Sequence, residues 1–202
     1  MKIICVGRNY VEHARELNNP VPDRPVLFMK PSTALLVNSK PFYYPEFSKN
    51  IHHELEVVLR IAKNGRHVQP EFAAEYYDAL TLGIDFTARD VQDELKKKGQ
   101  PWEIAKAFDH SAPVGKFVDK TLVPLADIHF QLFKNNQLVQ DGHTRDLIFD
   151  FNYLIVNISQ YFTLLTGDYI FTGTPAGVGP VAIGDVLEGY LEGEKVLEVE
   201  VK

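Results

Sequence analysis

The stretch that decides the fold is His52-His53-Glu54-Leu55-Glu56-Val57-Val58-Leu59. Two glutamates stand two positions apart at the start of an apolar run. This pattern predicts a β-strand with both carboxylates on one face, because side chains in a strand alternate between faces. Two like charges held side by side and partly buried are costly unless a cation or a donor compensates them. Alternating acids are also typical of an ordinary half-exposed strand, so the spacing alone leaves both interpretations open.

A third carboxylate, Asp85, follows the apolar run 79–84. Thr87 is predicted to cap a helix, with Asp90 three residues further on. Asp85 is then the last residue of a strand just before that cap, where a side chain faces a site rather than solvent. Three oxygen ligands with no cysteine partner suit Mg²⁺ or Mn²⁺ better than a structural zinc ion.

The composition excludes several classes of protein. With 202 residues, 45% of them hydrophobic and 24% charged, the chain is predicted to form one globular domain over residues 1–202. The formal net charge of −6 argues against binding to nucleic acid or anionic membranes, and no apolar stretch is long enough to span a bilayer. Cys5 is the only cysteine, so no intrachain disulfide can form. We expect Cys5 to be a small core residue and the protein to be cytoplasmic.

Periodicity and turn residues predict more strands than helices, which gives a β-rich α+β fold. The predicted helices cover residues 9–17, 71–78, 87–98 and 151–162. The predicted strands cover residues 1–8, 26–30, 34–37, 54–62, 79–85, 130–133 and 138–139, and a final strand alternates at Leu197, Val199 and Val201. The turn 134–136 is predicted to join the strands on either side of it into a hairpin.

Five motifs occur in one order along nearly the whole chain. They are Gly7-Arg8-Asn9-Tyr10, Lys30-Pro31-Ser32, His53-Glu54-Leu55-Glu56, Thr87-Ala88-Arg89-Asp90-Val91-Gln92 and Thr172-Gly173-Thr174-Pro175-Ala176-Gly177-Val178-Gly179-Pro180. Together they resemble the fumarylacetoacetate hydrolase family, in particular its short acylpyruvase and oxaloacetate decarboxylase branch. The resemblance implies a mixed β-sandwich roll of the type found in the C-terminal domain of that family. It also implies a homodimer, with a metal held at one end of the sheet.

The resemblance assigns roles to particular residues. It implies Glu54, Glu56 and Asp85 as the ligands of Mg²⁺ or Mn²⁺. Lys106 matches the family lysine beside the metal, where a fixed cation would stabilise developing negative charge. A lysine usually lies on the surface, but the apolar flanks of Lys106 favour the site. The positions that hold the carboxylate and oxo groups of the substrate are matched by Arg8, Lys30, Gln92 and Thr174.

A candidate base lies near the start of the chain. His13 and Glu16 are three residues apart on the first predicted helix and therefore share a face. The carboxylate can orient the imidazole and leave its other nitrogen free as a general base for water. The same spacing is typical of an incidental pair on a solvated helix, and only the resemblance to the acylpyruvase branch favours a catalytic dyad on a lid. His52 and His53 are interpreted as structural or supporting residues, because the zinc-protease pattern fails at position 57.

With these residues present, the resemblance implies a divalent-metal-dependent hydrolase that cleaves the carbon–carbon bond of acylpyruvates such as acetylpyruvate or fumarylpyruvate. Decarboxylation of oxaloacetate is expected as a second activity, because it needs only a stabilised enolate. Two alternatives stay open. One is an isomerase or decarboxylase of dioxo acids from aromatic catabolism, and the other is a non-catalytic, metal-stabilised binding module. The acyl group and the choice between Mg²⁺ and Mn²⁺ are not predicted by the sequence.

Overall fold

The computed structural model describes residues 1–16 and 20–202 of the chain. The strands, in chain order, are β1 (Ile3–Val6), β2 (Leu27–Lys30), β3 (Leu35–Leu36), β4 (Ile51–His53), β5 (Leu55–Ile61), β6 (Tyr77–Ile84), β7 (Thr87–Ala88), β8 (Ala112–Pro113), β9 (Val118–Asp119), β10 (His129–Lys134), β11 (Gln137–His143), β12 (Tyr169–Phe171), β13 (Gly179–Pro180), β14 (Val186–Leu191) and β15 (Glu194–Glu200). The α-helices are α1 (Val11–Glu16), α2 (Arg89–Lys97), α3 (Glu103–Lys106) and α4 (Phe151–Tyr161). Short 3₁₀ helices cover Ser32–Ala34, Pro70–Tyr76, Lys120–Leu122 and Thr144–Asp146.

Two sheets carry the fold. The six-stranded sheet has the order β2-β1-β12-β5-β6-β9, and it is mixed because β1 and β12 run parallel while the other pairs are antiparallel. The second sheet is antiparallel, with the order β11-β10-β14-β15. Smaller sheets are formed by β13-β4-β7 and by β3-β8. The predicted β-rich α+β class and the mixed sandwich architecture are therefore confirmed.

The main hydrophobic core lies between the two large sheets, with α4 packed against it. Val57 and Leu59 of β5 point into this core together with Phe130 and Leu132 of β10. Val58 points the other way, into a smaller cluster that contains the buried Cys5. Because β5 is covered on both faces, its sequence is an almost unbroken apolar run, and the two glutamates at its start are drawn into the interior with it.

Several predicted elements agree closely with the structure. The hairpin of β10 and β11 turns at Asn135 and Asn136, whose φ angles of 51° and 64° are those of the two-residue turn that matches strand twist. Asp150 caps α4 by accepting a hydrogen bond from the backbone N–H of Tyr153. Leu197, Val199 and Val201 are all buried, as their alternation predicts. No helix of the described residues is both long and apolar enough to cross a membrane.

Two of the predicted helices are wrong in part. The segment 71–78 forms a 3₁₀ helix that ends at Tyr76, and Tyr77 already belongs to β6, because the ladder with β5 extends that far. Thr87 is not a helix cap. It pairs with His52 as part of β7, and α2 begins two residues later with Arg89 and no side-chain cap. The acidic residue expected in a capping box, Asp90, instead accepts hydrogen bonds from Ser48 and the backbone N–H of Lys49.

Strand boundaries also differ. The predicted strand 34–37 is reduced to β3, because Ala34 closes a 3₁₀ turn. The predicted strand 54–62 is interrupted at Glu54, which stands alone between β4 and β5. The helix predicted over 9–17 is observed as α1, and residues 17–19 lie outside the described part of the chain.

Candidate active site

The interruption at Glu54 brings three carboxylates together. Antiparallel pairing sets Leu55 opposite Ile84, so that the next residue, Asp85, donates its backbone N–H to the carbonyl oxygen of Glu54 at 2.8 Å. Glu54, Glu56 and Asp85 each offer one oxygen within 4.8 Å of the others, and their exposures are only 5%, 1% and 1%. The acidic triad therefore lies at the buried end of β5 and β6, at the junction with the small sheet that contains β4.

Lys106, the last residue of α3, holds two of these carboxylates. Its Nζ lies 2.7 Å from Oε2 of Glu54 and 2.6 Å from Oδ2 of Asp85. Burial lowers the pKa of Lys106, but Asp85 and Glu54 outweigh burial and the pKa is raised from 10.5. Lys106 is therefore a fixed positive charge beside the triad, not a surface lysine.

Lys30, at the end of β2, lies beneath the triad. Its Nζ is 2.8 Å from Oδ1 of Asp85 and donates to the carbonyl oxygens of Phe86, Lys106 and Ser111 and to the Ser111 hydroxyl. The side chain has no exposed surface and does not line the cavity that leads to the triad. This placement favours a role in holding Asp85 over the substrate contact that the resemblance implies.

Arg89, the first residue of α2, is a site residue that the sequence analysis missed. One guanidinium nitrogen lies 2.5 Å from Oε1 of Glu54, and another donates to Oε1 of Gln92 at 2.7 Å. Arg89 and Gln92 are three residues apart on one helix face, a spacing that could have identified the pair. Arg89 thus fixes both a triad member and a residue that matches a family substrate position.

The two glutamates have opposite protonation tendencies. Burial raises the pKa of Glu54, but Lys106 and Arg89 outweigh burial and hold the pKa well below 4.5. For Glu56, burial and then the Asp85 charge raise the pKa well above 4.5, although the backbone N–H of Gly173 donates to it at 2.7 Å. Gly173 reaches Glu56 this closely because its φ is +104° and an added Cβ would lie 2.6 Å from that of Asn9.

The triad fits a hard divalent cation. Among the described residues, Oδ1 of Asp85 accepts no hydrogen bond, although Lys30 Nζ lies 2.8 Å away in a poor direction for one. Glu56 has no cationic side chain within ion-pair distance in the described part of the chain. A divalent cation that prefers oxygen ligands would stabilise both groups, because it would compensate the acceptor of Asp85 that has no donor and the charge of Glu56 beside Asp85.

The proposed base is close to the triad. His13 and Glu16 are joined by a contact of 3.3 Å between Nδ1 and Oε2, and Glu16 also accepts from the backbone N–H of Gly177 at 3.1 Å. His13 is buried and lines the same cavity as Glu54 and Lys106. Burial lowers the pKa of His13 below 6.5, although Glu54 and Glu16 oppose the shift, so the imidazole is neutral at pH 7.

The remaining predicted residues occupy different positions around the site. Arg8 and Gln92 line the cavity. Thr174 is buried behind it, where its hydroxyl accepts from Nε2 of Gln140 at 2.8 Å. Oε1 of Gln140 contacts Nδ1 of His53 and accepts from the backbone N–H of Leu55, both at 3.0 Å. Gln140 therefore ties the strand of the triad to the Thr174 loop, and no local signal reveals it because its partners are distant in sequence.

His52 and His53 are not members of the carboxylate group that could hold a metal. Nε2 of His52 contacts Asn50 at 3.1 Å, and burial with the nearby Arg89 charge lowers the pKa of His52 to about 4. A cavity of about 620 Å³ lies elsewhere and is lined by residues such as Tyr77, Leu125 and Arg145. Chemistry and not size therefore identifies the site, since that larger groove lacks the clustered carboxylates.

The chain is similar to known proteins over nearly its whole length. The profile of the family described as fumarylacetoacetate (FAA) hydrolase C-terminal matches residues 2–202. The chain is 46% identical over 194 residues, 95% of its length, to 87% of oxaloacetate tautomerase FAHD1, mitochondrial, from Homo sapiens. It is 40% identical over 194 residues, again 95% of its length, to 89% of oxaloacetate decarboxylase, mitochondrial, from Dictyostelium discoideum.

A solved structure extends the likeness to three dimensions. The crystal structure of fumarylpyruvate hydrolase from Pseudomonas aeruginosa in complex with Mn²⁺ and pyruvate superposes with a TM-score of 0.93 and 36% sequence identity. The superposition covers 100% of this chain and 89% of that one. The strand-rich architecture and the full length of the chain are therefore shared with a metal-containing relative.

Proposed function

The chain belongs to the fumarylacetoacetate hydrolase family, and on this premise we propose that it is a divalent-metal-dependent enzyme that cleaves acylpyruvates at a carbon–carbon bond and decarboxylates oxaloacetate. The observation that carries the proposal is the buried imidazole of His13, which lines one cavity with Glu54 and Lys106. A base, a carboxylate group fit for a cation and a fixed positive charge are the three parts that the reaction needs.

Glu54, Glu56 and Asp85 would hold Mg²⁺ or Mn²⁺. When bound, a divalent cation supplies Lewis-acid polarisation of the oxo and carboxylate oxygens and a template for the substrate. Arg89 keeps Glu54 ionised, and Lys30 and Lys106 keep Asp85 in place. These contacts fix the ligand oxygens before substrate arrives, so little reorganisation is required during the reaction.

Hydrolysis uses the dyad on α1. Glu16 orients the imidazole through Nδ1, which leaves Nε2 of His13 to take a proton from water. The water oxygen adds to the acyl carbonyl carbon, and the bond between that carbon and the methylene carbon breaks. The electron pair of the broken bond forms the enolate of pyruvate, and the acyl group leaves as a carboxylic acid. The enolate carbon then takes the proton that His13 received from water, which gives pyruvate. Lys106 stabilises the negative charge that develops during this step.

Decarboxylation of oxaloacetate uses the same enolate stabilisation without an attacking water. The bond to the departing carboxylate breaks, its electron pair forms the enolate, and CO₂ leaves. The dyad should therefore matter less to this reaction than to hydrolysis.

A second candidate activity is keto–enol exchange of oxaloacetate. It is favoured by the human relative named as a tautomerase and by a neutral base at the cavity wall, because exchange requires a proton to leave one atom and return to another. In this reaction His13 would move a proton between carbon and oxygen, and no carbon–carbon bond would break.

The proposal is tested with purified protein assayed with Mg²⁺, Mn²⁺ or a chelator on acetylpyruvate, fumarylpyruvate and oxaloacetate. We expect metal-dependent hydrolysis of an acylpyruvate and metal-dependent loss of CO₂ from oxaloacetate. The variant Glu56→Gln should abolish both, whereas the exposed control Glu46→Gln should not. Enol exchange without cleavage would favour the second candidate, and turnover that persists in chelator would contradict the metal dependence. A homodimer, predicted from the resemblance, is checked by light scattering.

A further inference from the structure

The cavity wall carries positive charge to which no step of the proposed reaction has been assigned. Beyond Glu54 and Lys106, the cavity is lined by Arg8, Lys96 and Trp102. Arg8 comes from the segment between β1 and α1, Lys96 from the last turn of α2, and Trp102 from the residue before α3. Three separate segments thus bring two cations and an aromatic ring to the wall of one cavity.

Helical spacing connects Lys96 to the inner site. Arg89, Gln92 and Lys96 follow one another at intervals of three and four residues, so they form a row along one face of α2. Arg89 begins the row beside Glu54, and Lys96 ends it at the wall of the same cavity. The neighbouring Lys97 is exposed, and Lys98 pairs with Glu94 on the outer face of the helix. Of the three lysines in this turn, Lys96 is therefore the one whose side chain lines the cavity.

The four cationic residues that line the cavity fall into two pairs with different partners. Arg89 and Lys106 form ion pairs with carboxylates of the triad. For Arg8 and Lys96, no ion pair or side-chain hydrogen bond is found within the described residues, 1–16 and 20–202. The ammonium group of Lys96 instead lies 5.4 Å from the centre of the Trp102 ring. Such cations, half-buried at a cavity wall, are available to an anionic group.

The surroundings of Lys96 are unfavourable to a cation without an anion. Burial lowers its pKa from 10.5, and the charges of Arg89 and Arg8 lower the pKa further, against only a small opposite effect of Asp93. An anion between Arg8 and Lys96 would reverse this balance, because it would replace repulsion by attraction at a partly desolvated position.

We propose that Lys96, together with Arg8, forms a subsite for a second carboxylate of the substrate, remote from the 2-oxo acid group held at the triad. Trp102 supplies a flat apolar wall for the carbon chain between the two ends. The site then selects dianionic dioxo acids of the fumarylpyruvate kind over monoanionic acylpyruvates of the acetylpyruvate kind. This inference rests on the proposed function, because it assumes that the 2-oxo acid end occupies the triad.

The test compares fumarylpyruvate with acetylpyruvate, which share the reacting group and differ in the remote carboxylate. In the Mg²⁺-loaded protein, Lys96→Met should lower kcat/KM for fumarylpyruvate by about 10-fold or more beyond its effect on acetylpyruvate, the usual scale for one charged hydrogen bond. The loss should appear in KM and not in kcat. Lys96→Arg should restore most of the preference, and the exposed control Lys97→Met should leave the ratio of the two substrates unchanged.

Titration calorimetry separates this inference from the proposed function. If neither compound is turned over, the proposed hydrolysis fails, and the ratio of the two Kd values still reports the subsite. A wild-type preference for the dianion that Lys96→Met removes supports the inference in either case. Equal affinity of wild-type protein for both compounds, or an equal loss for both in Lys96→Met, would overturn it.

Discussion

The floor and the rim of the candidate site are built in different ways. The floor consists of Glu54, Asp85, Lys30 and Lys106, whose charged groups are buried and held by several partners at 2.6–2.8 Å. The rim consists of Arg8, His13, Glu16 and Lys96. There the dyad contact is 3.3 Å long, the Glu16 side chain is 31% exposed, and the two cations lack charged partners among the described residues.

This difference separates two tasks. Removing one partner of a buried ion pair strongly destabilises a protein, because the other charge is left uncompensated. The residues of the floor are therefore constrained by the stability of the fold. At the rim, Arg8 and Lys96 make no ion pair or side-chain hydrogen bond among the described residues, so we expect their substitution to cost the fold less. We infer that the floor would stabilise the enolate in each of the proposed cleavage reactions and that the rim would decide which reaction follows.

The largest effect is expected at the rim, for hydrolysis alone. His13→Ala should lower acylpyruvate hydrolysis by about 10²–10⁴-fold, the contribution of a positioned base, while oxaloacetate decarboxylation keeps a larger share of its rate. Glu16→Gln should show the same pattern more weakly, because Glu16 only orients the imidazole. Steady-state assays of both reactions measure this, with His129→Ala on the other sheet as control. Equal losses in both reactions would mean that α1 positions substrate instead of activating water.

The next effect is expected at the floor, for every reaction. Lys106→Met should lower turnover of acylpyruvates and of oxaloacetate alike by about 10²–10³-fold, the scale for removing one charge stabiliser. Binding of the metal should survive, because the three carboxylates remain. Turnover and Mn²⁺ affinity are measured side by side, with Lys97→Met as the surface control. A selective loss of one reaction would remove the distinction between floor and rim.

A smaller effect is expected where floor and rim are joined. Gln140→Leu leaves the backbone N–H of Leu55 and the Thr174 hydroxyl without their partner, which should cost about 1–3 kcal/mol in the free energy of unfolding. Because Gln140 does not line the cavity but holds Thr174, a residue that matches a substrate position, KM should rise more than kcat falls. Chemical denaturation and steady-state kinetics measure the two effects, with the exposed Gln160→Leu as control. Unchanged stability would show that the strand and the loop are held independently.

The smallest effect is a shift in pH dependence. His13 is active when neutral, and its pKa lies below 6.5 through burial, so hydrolysis should be constant near pH 7 and fall only as pH drops through the lowered pKa. Glu16 raises the pKa of His13, so Glu16→Gln should move this acidic limb to still lower pH. The pH profile of kcat/KM measures the shift. A limb that moves to higher pH in this variant would contradict the assignment of His13 as the base.

The sequence predicts the floor better than the rim, for a physical reason. The E-x-E spacing and an Asp85 that follows an apolar run are local patterns, and the antiparallel pairing of β5 with β6 brings their side chains together. The helix cap predicted at Thr87 is wrong, and it shows the limit of local patterns. Thr87 and Ala88 could begin a helix by their sequence, but they pair with β4 as a short strand instead. Glu54 likewise stands in a strand break that no local pattern reveals.

Contacts between distant segments were not predictable from local sequence. Lys30 was assigned to substrate by resemblance, yet its amine reaches Asp85 and Ser111, residues 55 and 81 positions away. Gln140 contacts His53 across 87 positions. Lys96 could be interpreted only as a cation at a helix C-terminus until Trp102 and Arg8 were found beside it. Such roles depend on how the sheets meet, which periodicity does not encode.

The central claim is that Glu54, Glu56 and Asp85 bind one divalent cation, and direct measurement of Mn²⁺ binding tests it most simply. Titration calorimetry and metal analysis are carried out on wild type, on Asp85→Asn, which keeps the side-chain shape, and on the exposed control Glu46→Gln. Circular dichroism checks that each variant is folded. We predict one Mn²⁺ per chain in wild type and in the control, and a large loss of affinity in Asp85→Asn. Unchanged stoichiometry and affinity in folded Asp85→Asn would contradict the account.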